Sequence, residues 1–171
     1  KEHLSKVTNY IETGVKEGAT LVADGRNYKL QGYEKGYFIG PSLFDNVNTN
    51  MTIYKEEIFG PVLSVVRAKT YDEAIALANN HPFGNGTSIY TQDGDVARHF
   101  TTNVKIGMVG VNIPIPVPMA FHSFGGWKNS LFGAHAMHGI EGVNFFTKLK
   151  TVTSRWPTSI RSGAEYKMPT N

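Results

Sequence analysis

At 171 residues, with 40% hydrophobic and 12% aromatic residues, the chain is long enough for one domain with a buried core, and its 18 Gly and 8 Pro fall short of a low-complexity composition. It contains no Cys, which excludes disulfides, thiolate metal sites and a cysteine nucleophile from its own residues. The net charge of +3 gathers at the end, where Lys148, Lys150, Arg155, Arg161 and Lys167 face only Glu165, so the near-neutral body offers no basic surface to nucleic acid. No run approaches the ~18 apolar residues of a membrane span, and Lys1-Glu2-His3-Leu4 lacks the apolar stretch of a signal peptide.

Leu4, Val7, Ile11 and Val15 recur at helical spacing with Gly18 beyond them, which predicts an amphipathic helix over about residues 2–17. Short apolar runs at 20–23 and 37–44 read as strands or hairpin pieces. From Pro61 the pattern becomes regular. A short apolar strand over 61–66 leads to Thr70-Tyr71-Asp72-Glu73, which has the form of a capping box, and to a helix ending near His81-Pro82. Asn85-Gly86 supplies a turn, 87–91 a strand, Asp93 a cap for a helix carrying Val96, Ala97, Phe100 and Val104, and 106–111 a further strand. Strand, helix, strand, helix, strand with short connections predicts an α/β fold, with a parallel-rich sheet and crossover helices covering both faces.

Beyond Asn112 no period holds until about Gly133; Pro114, Pro116 and Pro118 forbid helix there and favour extended backbone. A short helix over 135–140 is expected next. Residues 143–154 then alternate apolar groups on both faces and read as one long strand, about 36–40 Å at ~3.3 Å per residue, about twice the usual length. The excess needs a partner, so this strand is expected to be an intersubunit arm of a homo-oligomer. The expected organisation is therefore a body over 1–142, an oligomerisation strand over 143–154 and a polar tail over 155–171.

Chemistry-bearing constellations are few. His135 and His138 with Glu141 do not have zincin spacing, so no metal is expected. There is no Gly-x-Ser-x-Gly elbow, no Gly-x-Gly-x-x-Gly and no Walker lysine loop. Glu56-Glu57-Ile58-Phe59-Gly60-Pro61 stands apart, because Gly60-Pro61 constrains the backbone that carries an aromatic and two carboxylates. A carboxylate can hold a pair of sugar hydroxyls, and an aromatic ring can support a flat heterocycle.

Glu56-Glu57-Ile58-Phe59-Gly60-Pro61-Val62, then Pro82-Phe83-Gly84, then Gly110-Val111-Asn112, then Phe124-Gly125-Gly126-Trp127-Lys128 resembles the aldehyde dehydrogenase family, in its carboxyl-terminal third. Asn50-Met51-Thr52, the proline run and Phe146-Thr147-Lys148-Leu149-Lys150-Thr151 are most similar to the coenzyme A-acylating branch that acts on methylmalonate and malonate semialdehydes. The resemblance implies NAD as cofactor and coenzyme A as co-substrate. It also implies a cysteine nucleophile, absent here, so the chain is expected to be a carboxyl-terminal fragment of the catalytic domain with no catalytic residue of its own. Glu57 would hold the nicotinamide ribose hydroxyls and Phe59 would flank the nicotinamide. Asn112 and Phe124 would wall the aldehyde pocket. The expected setting is the cytoplasm, or the mitochondrial matrix of a eukaryote. The competing expectation is a non-catalytic binding or oligomerisation module that keeps the scaffold.

Overall fold

The computed structural model describes residues 1–156; the expected polar tail lies outside the described residues except for Arg155 and Trp156. Helix α1 (Glu2–Lys16) forms where the periodicity placed it. Its buried face is Val7, Ile11 and Gly14, whereas Val15 is 45% exposed. Gly14 disfavours helix but sits at a close approach: a Cβ there would lie 2.8 Å from the Ile53 side chain and 3.1 Å from that of Phe44. Strands β1 (Thr20–Ala23) and β2 (Ser42–Asp45) pair antiparallel, and β3 (Val62–Ser64) joins β2 in parallel. Helix α2 (Thr52–Lys55) is short, and the Glu17 carboxylate at the end of α1 accepts from the Thr52 N–H and hydroxyl, both at 2.6 Å, at its N-terminus. Val7, Ile11, Phe44, Val47, Met51, Ile53 and Ile58 close the first core.

Helix α3 (Tyr71–Asn80) begins with the expected capping box in a modified form. The Thr70 hydroxyl accepts from Glu73 N–H at 3.2 Å, while the Glu73 carboxylate reaches one residue further back, to Lys69 N–H at 2.7 Å. Strands β4 (Phe83–Gly84) and β5 (Gly86–Ile89) follow, then α4 (Gly94–Asn103), capped by Asp93 through the N–H groups of Asp95 and Val96. Strand β6 (Met108–Val111) pairs β5 in parallel, so β5–α4–β6 is a true crossover unit. Ile75, Phe100, Val104 and Ile106 form the second core beneath it.

Two expectations are corrected. The strands do not form one parallel sheet covered on both faces: β1-β2-β3, β5-β6, and β4 with β7 (Trp127–Lys128) are separate small sheets, one purely antiparallel and one mixed. Alternation of strand and helix shows that crossovers exist, but partner choice is a tertiary matter, and β3 takes β2 rather than β5. Nor does 143–154 form a long strand. Helix α5 (Gly139–Phe146) takes its first four residues and displaces the helix expected at 135–140, and the segment from Thr147 to Trp156 carries no regular structure. A strand needs a neighbour's edge to satisfy its backbone, and no segment among the described residues offers one to it. Among the described residues no helix is long and apolar enough to cross a membrane.

Candidate functional site

The turn after α2 is built on α1. Tyr10 OH donates to the Glu56 carboxylate at 2.6 Å, a bond that raises the phenol above its ordinary pKa. Ile58 plugs the first core at 8% exposure, and Gly60 packs so closely on Val7 that a Cβ would lie 2.7 Å from its side chain. The His3 imidazole lies 2.7 Å from the Phe59 carbonyl oxygen. These contacts separate the two adjacent carboxylates. Glu56 is engaged in holding the turn, whereas Glu57 is exposed and has no hydrogen-bond or ion-pair partner among the described residues. Phe59 sits at φ 60°, a left-handed conformation costly for an aromatic residue, with its side chain outward at 77% exposure. The constraint expected from Gly60-Pro61 thus falls on Phe59 itself.

Glu57 borders a cavity of about 170 Å³ shared with Glu56, His81, Phe83, Asn85 and Ser130. His81 is fixed by both ring nitrogens: Nδ1 accepts from Phe83 N–H at 3.2 Å, leaving Nε2–H to donate to the Tyr54 carbonyl at 2.9 Å. Its ring meets Tyr54 edge-on with centroids 5.0 Å apart. Burial raises the Tyr54 phenol. Strand β4 pairs Phe83 with Lys128 and Gly84 with Trp127, so the Pro82-Phe83-Gly84 and Phe124-to-Lys128 motifs meet as one two-stranded ladder. Ser130 Oγ accepts from Gly84 N–H at 3.1 Å and ties the following turn to it. A cleft of about 350 Å³ lined by Tyr54, Leu77, His81 and Ile106 adjoins through Phe83 and Asn85.

Asn112 and Phe124 do not line the Glu57 cavity. The Asn112 side chain is engaged in structure: its carbonyl accepts from Thr91 N–H at 2.9 Å and its amide donates to the Thr91 carbonyl at 3.0 Å, extending the β5–β6 ladder by one residue. Asn tolerates the φ of 57° found there. The proline segment beyond it walls a cleft of about 420 Å³ with Asn85, Gly86, Ser88 and Met108. Phe124 stacks on His138 at 4.6 Å and 14°, and lines none of these three cavities. His135 pairs instead with Glu141, so the two histidines do not share a centre with that carboxylate.

Sequence reasoning missed Lys128 and His81. Lys128 Nζ donates to the carbonyls of Ala78, Asn79 and His81 at 3.1, 2.9 and 2.9 Å, closing the end of α3. Burial, with a contribution from Lys105, pushes the ammonium below the ordinary lysine range. Only a lysine within a Gly-Gly-x-Lys turn marked it in the sequence.

Four motifs in order, two of them lining one cavity beside an unpaired carboxylate and a third paired to it through the β4–β7 ladder, define an aldehyde dehydrogenase. The chain belongs to that family: the aldehyde dehydrogenase family model matches residues 1–152. It is 58% identical over 153 residues to the malonate-semialdehyde dehydrogenase of Pseudomonas aeruginosa, covering 90% of this chain and 31% of that protein. It also resembles a structure from Sinorhizobium meliloti 1021, complexed with NAD and assigned as a methylmalonate-semialdehyde dehydrogenase, at TM-score 0.90 and 57% identity over 95% of this chain and 33% of that one. The methylmalonate-semialdehyde dehydrogenase of Oceanimonas doudoroffii superposes at TM-score 0.88 with 53% identity, covering 92% and 32%. The chain thus spans about a third of the length of these relatives. The expected carboxyl-terminal placement gives way to the coarser statement these matches carry: an aldehyde dehydrogenase fold of mixed α and β content.

Proposed function

We propose that this chain supplies the ribose side of an NAD site, together with a wall of the aldehyde pocket, to an oxidoreductase that converts methylmalonate or malonate semialdehyde to a coenzyme A thioester with loss of carbon dioxide. The observation that carries the reading is Glu57, an exposed carboxylate without a partner, two residues before an exposed Phe59 held at φ 60°. An ionised carboxylate accepts two adjacent hydroxyls with charge-assisted bonds, and an outward aromatic ring supports a planar heterocycle, so these residues fit a nicotinamide riboside. When bound, NAD supplies the oxidant. Glu57 then fixes the ribose, Phe59 limits the tilt of the ring, and Tyr10 and Ile58 keep the turn from yielding. A thiol nucleophile cannot come from this chain, which has no Cys, so the chain by itself turns over no aldehyde. The bacterial relatives make the cytoplasm the expected compartment.

The test is a chimaera in which residues 1–152 replace the matching segment of the Pseudomonas aeruginosa relative. It should oxidise malonate semialdehyde with NAD and coenzyme A. Glu57→Gln in that chimaera should slow single-turnover NADH formation while leaving aldehyde KM near its starting value, because the carboxylate positions the cofactor. An intact, folded chimaera in which E57Q forms NADH at the unmodified rate overturns the assignment.

A further inference from the structure

The N-cap residue of α5, His138, makes no side-chain cap bond, and the orphan groups there are satisfied from a distance. Ser123 Oγ donates to the His138 carbonyl at 3.0 Å and accepts from Glu141 N–H at 3.3 Å. Gly139 N–H donates to the Ala120 carbonyl at 3.2 Å, and the Glu141 side chain is paired with His135. The start of α5 is therefore bolted to the segment that delivers Phe124. The next contact is of another kind. The Phe124 ring lies face to face with the His138 imidazole, centroids 4.6 Å apart and planes 14° apart, whereas the other close aromatic pairs of the described residues are edge-on or tilted. The His138 ring makes no hydrogen bond among the described residues, so its flat face is the part of it that the fold uses.

We propose that His138 is a positioning residue for the aldehyde pocket: its ring face sets the plane of Phe124, and the Ser123 bonds hold that face in place. This rests on the reading of Phe124 as a pocket wall. A phenylalanine ring can occupy several side-chain rotamers unless a neighbouring surface selects one, and a nearly parallel imidazole with its centroid 4.6 Å away is such a surface. The contact acts on substrate binding geometry and leaves the cofactor side alone, since Phe124 and His138 line neither the Glu57 cavity nor the cleft that adjoins it.

Two measurements test it. In the 171-residue chain carrying 4-fluorophenylalanine at position 124, H138A should move the fluorine resonance by removing the ring current, and H138F should restore a stacked-ring shift; a resonance unmoved by H138A overturns the proposal. In the chimaera, H138A should raise aldehyde KM about 3- to 10-fold with NAD KM unchanged, and H138F should recover it. Phe124→Ala is the control. If F124A raises aldehyde KM and H138A does not, the positioning role is wrong while the pocket reading stands. If F124A leaves KM unchanged, the pocket reading itself falls and takes this role with it. If H138F is as impaired as H138A, the ring nitrogens act rather than the ring face, and the proposal is overturned.

Discussion

The Lys128 ammonium reaches across from β7 to the carbonyl of His81 at 2.9 Å, and through that bond the Gly-Gly-Trp-Lys turn holds the residue whose imidazole borders the Glu57 cavity. Ala78 and Asn79 carbonyls share the same ammonium, so one cation closes the negative end of α3. Lys128→Met should remove three charge-assisted bonds and lower stability by about 2 kcal/mol, within the range for bonds to charged groups. Thermal unfolding should show a midpoint lower by about 4–8 °C for a chain of this size. A midpoint within a degree of the parent would show that the cap carries no net stability.

Phe59 offers the opposite case. Its backbone pays for a left-handed conformation and its side chain recovers little by burial, at 77% exposure. Phe59→Gly should therefore stabilise the chain by about 1 kcal/mol, since glycine adopts positive φ without the Cβ clash. In the chimaera the same change should cost activity. Loss of both stability and activity would place Phe59 in the packing of the turn.

Asn112→Ala should open the end of the β5–β6 ladder, because both bonds to Thr91 leave together. The expected loss is about 1–2 kcal/mol. Hydrogen exchange at the Thr91 amide should accelerate more than exchange at Ile89, and an unaltered Thr91 rate would contradict the bidentate role.

Acid should weaken the chain through carboxylates that the fold depresses, Asp24 and Asp45 in ion pairs and Glu17 and Glu34 by hydrogen bonds. The Arg26 guanidinium, helped by the Arg26 backbone N–H, lowers Asp24 to about 2 from 3.8, and Arg67 with the Asn46 N–H lowers Asp45. A depressed folded-state value means that the stabilisation is fully present above the unfolded value and is lost as pH falls through the folded one. Urea midpoints should hold down to about pH 4 and fall between there and about pH 2. Asp24→Asn combined with Asp45→Asn should flatten that fall; an equally steep double variant would assign it to other groups.

Association is the remaining expectation. Phe146, Leu149, Val152 and Trp156 are 82, 98, 76 and 87% exposed, more apolar surface than a solvated segment ordinarily presents. Light scattering at tens of micromolar should give a dimer or larger, and truncation after Thr147, which spares α5 and its closing Thr147–Val143 bond, should give a monomer. A monodisperse monomer for the untruncated chain would end the oligomer reading.

The elements from α3 to β6 were legible because their signals are local. The Thr70 box, the Asp93 cap and the crossover unit each depend on residues a few positions apart. The family, too, was readable from ordered motifs. Strand pairing was not: β3 chose β2 over β5, and nothing within Val62–Ser64 encodes that choice. The alternation over 143–154 does not yield a strand within this chain: residues 143–146 join α5, and a strand forms only where a second edge satisfies its backbone. Gly14 reads locally as a weak point in a helix, and only the approach of Phe44 and Ile53 shows why no larger residue fits. Likewise Glu56 and Glu57 are equivalent in sequence. Tyr10, distant along the chain, engages the first and leaves the second free, because a hydroxyl on the facing side of α1 can reach only one of them.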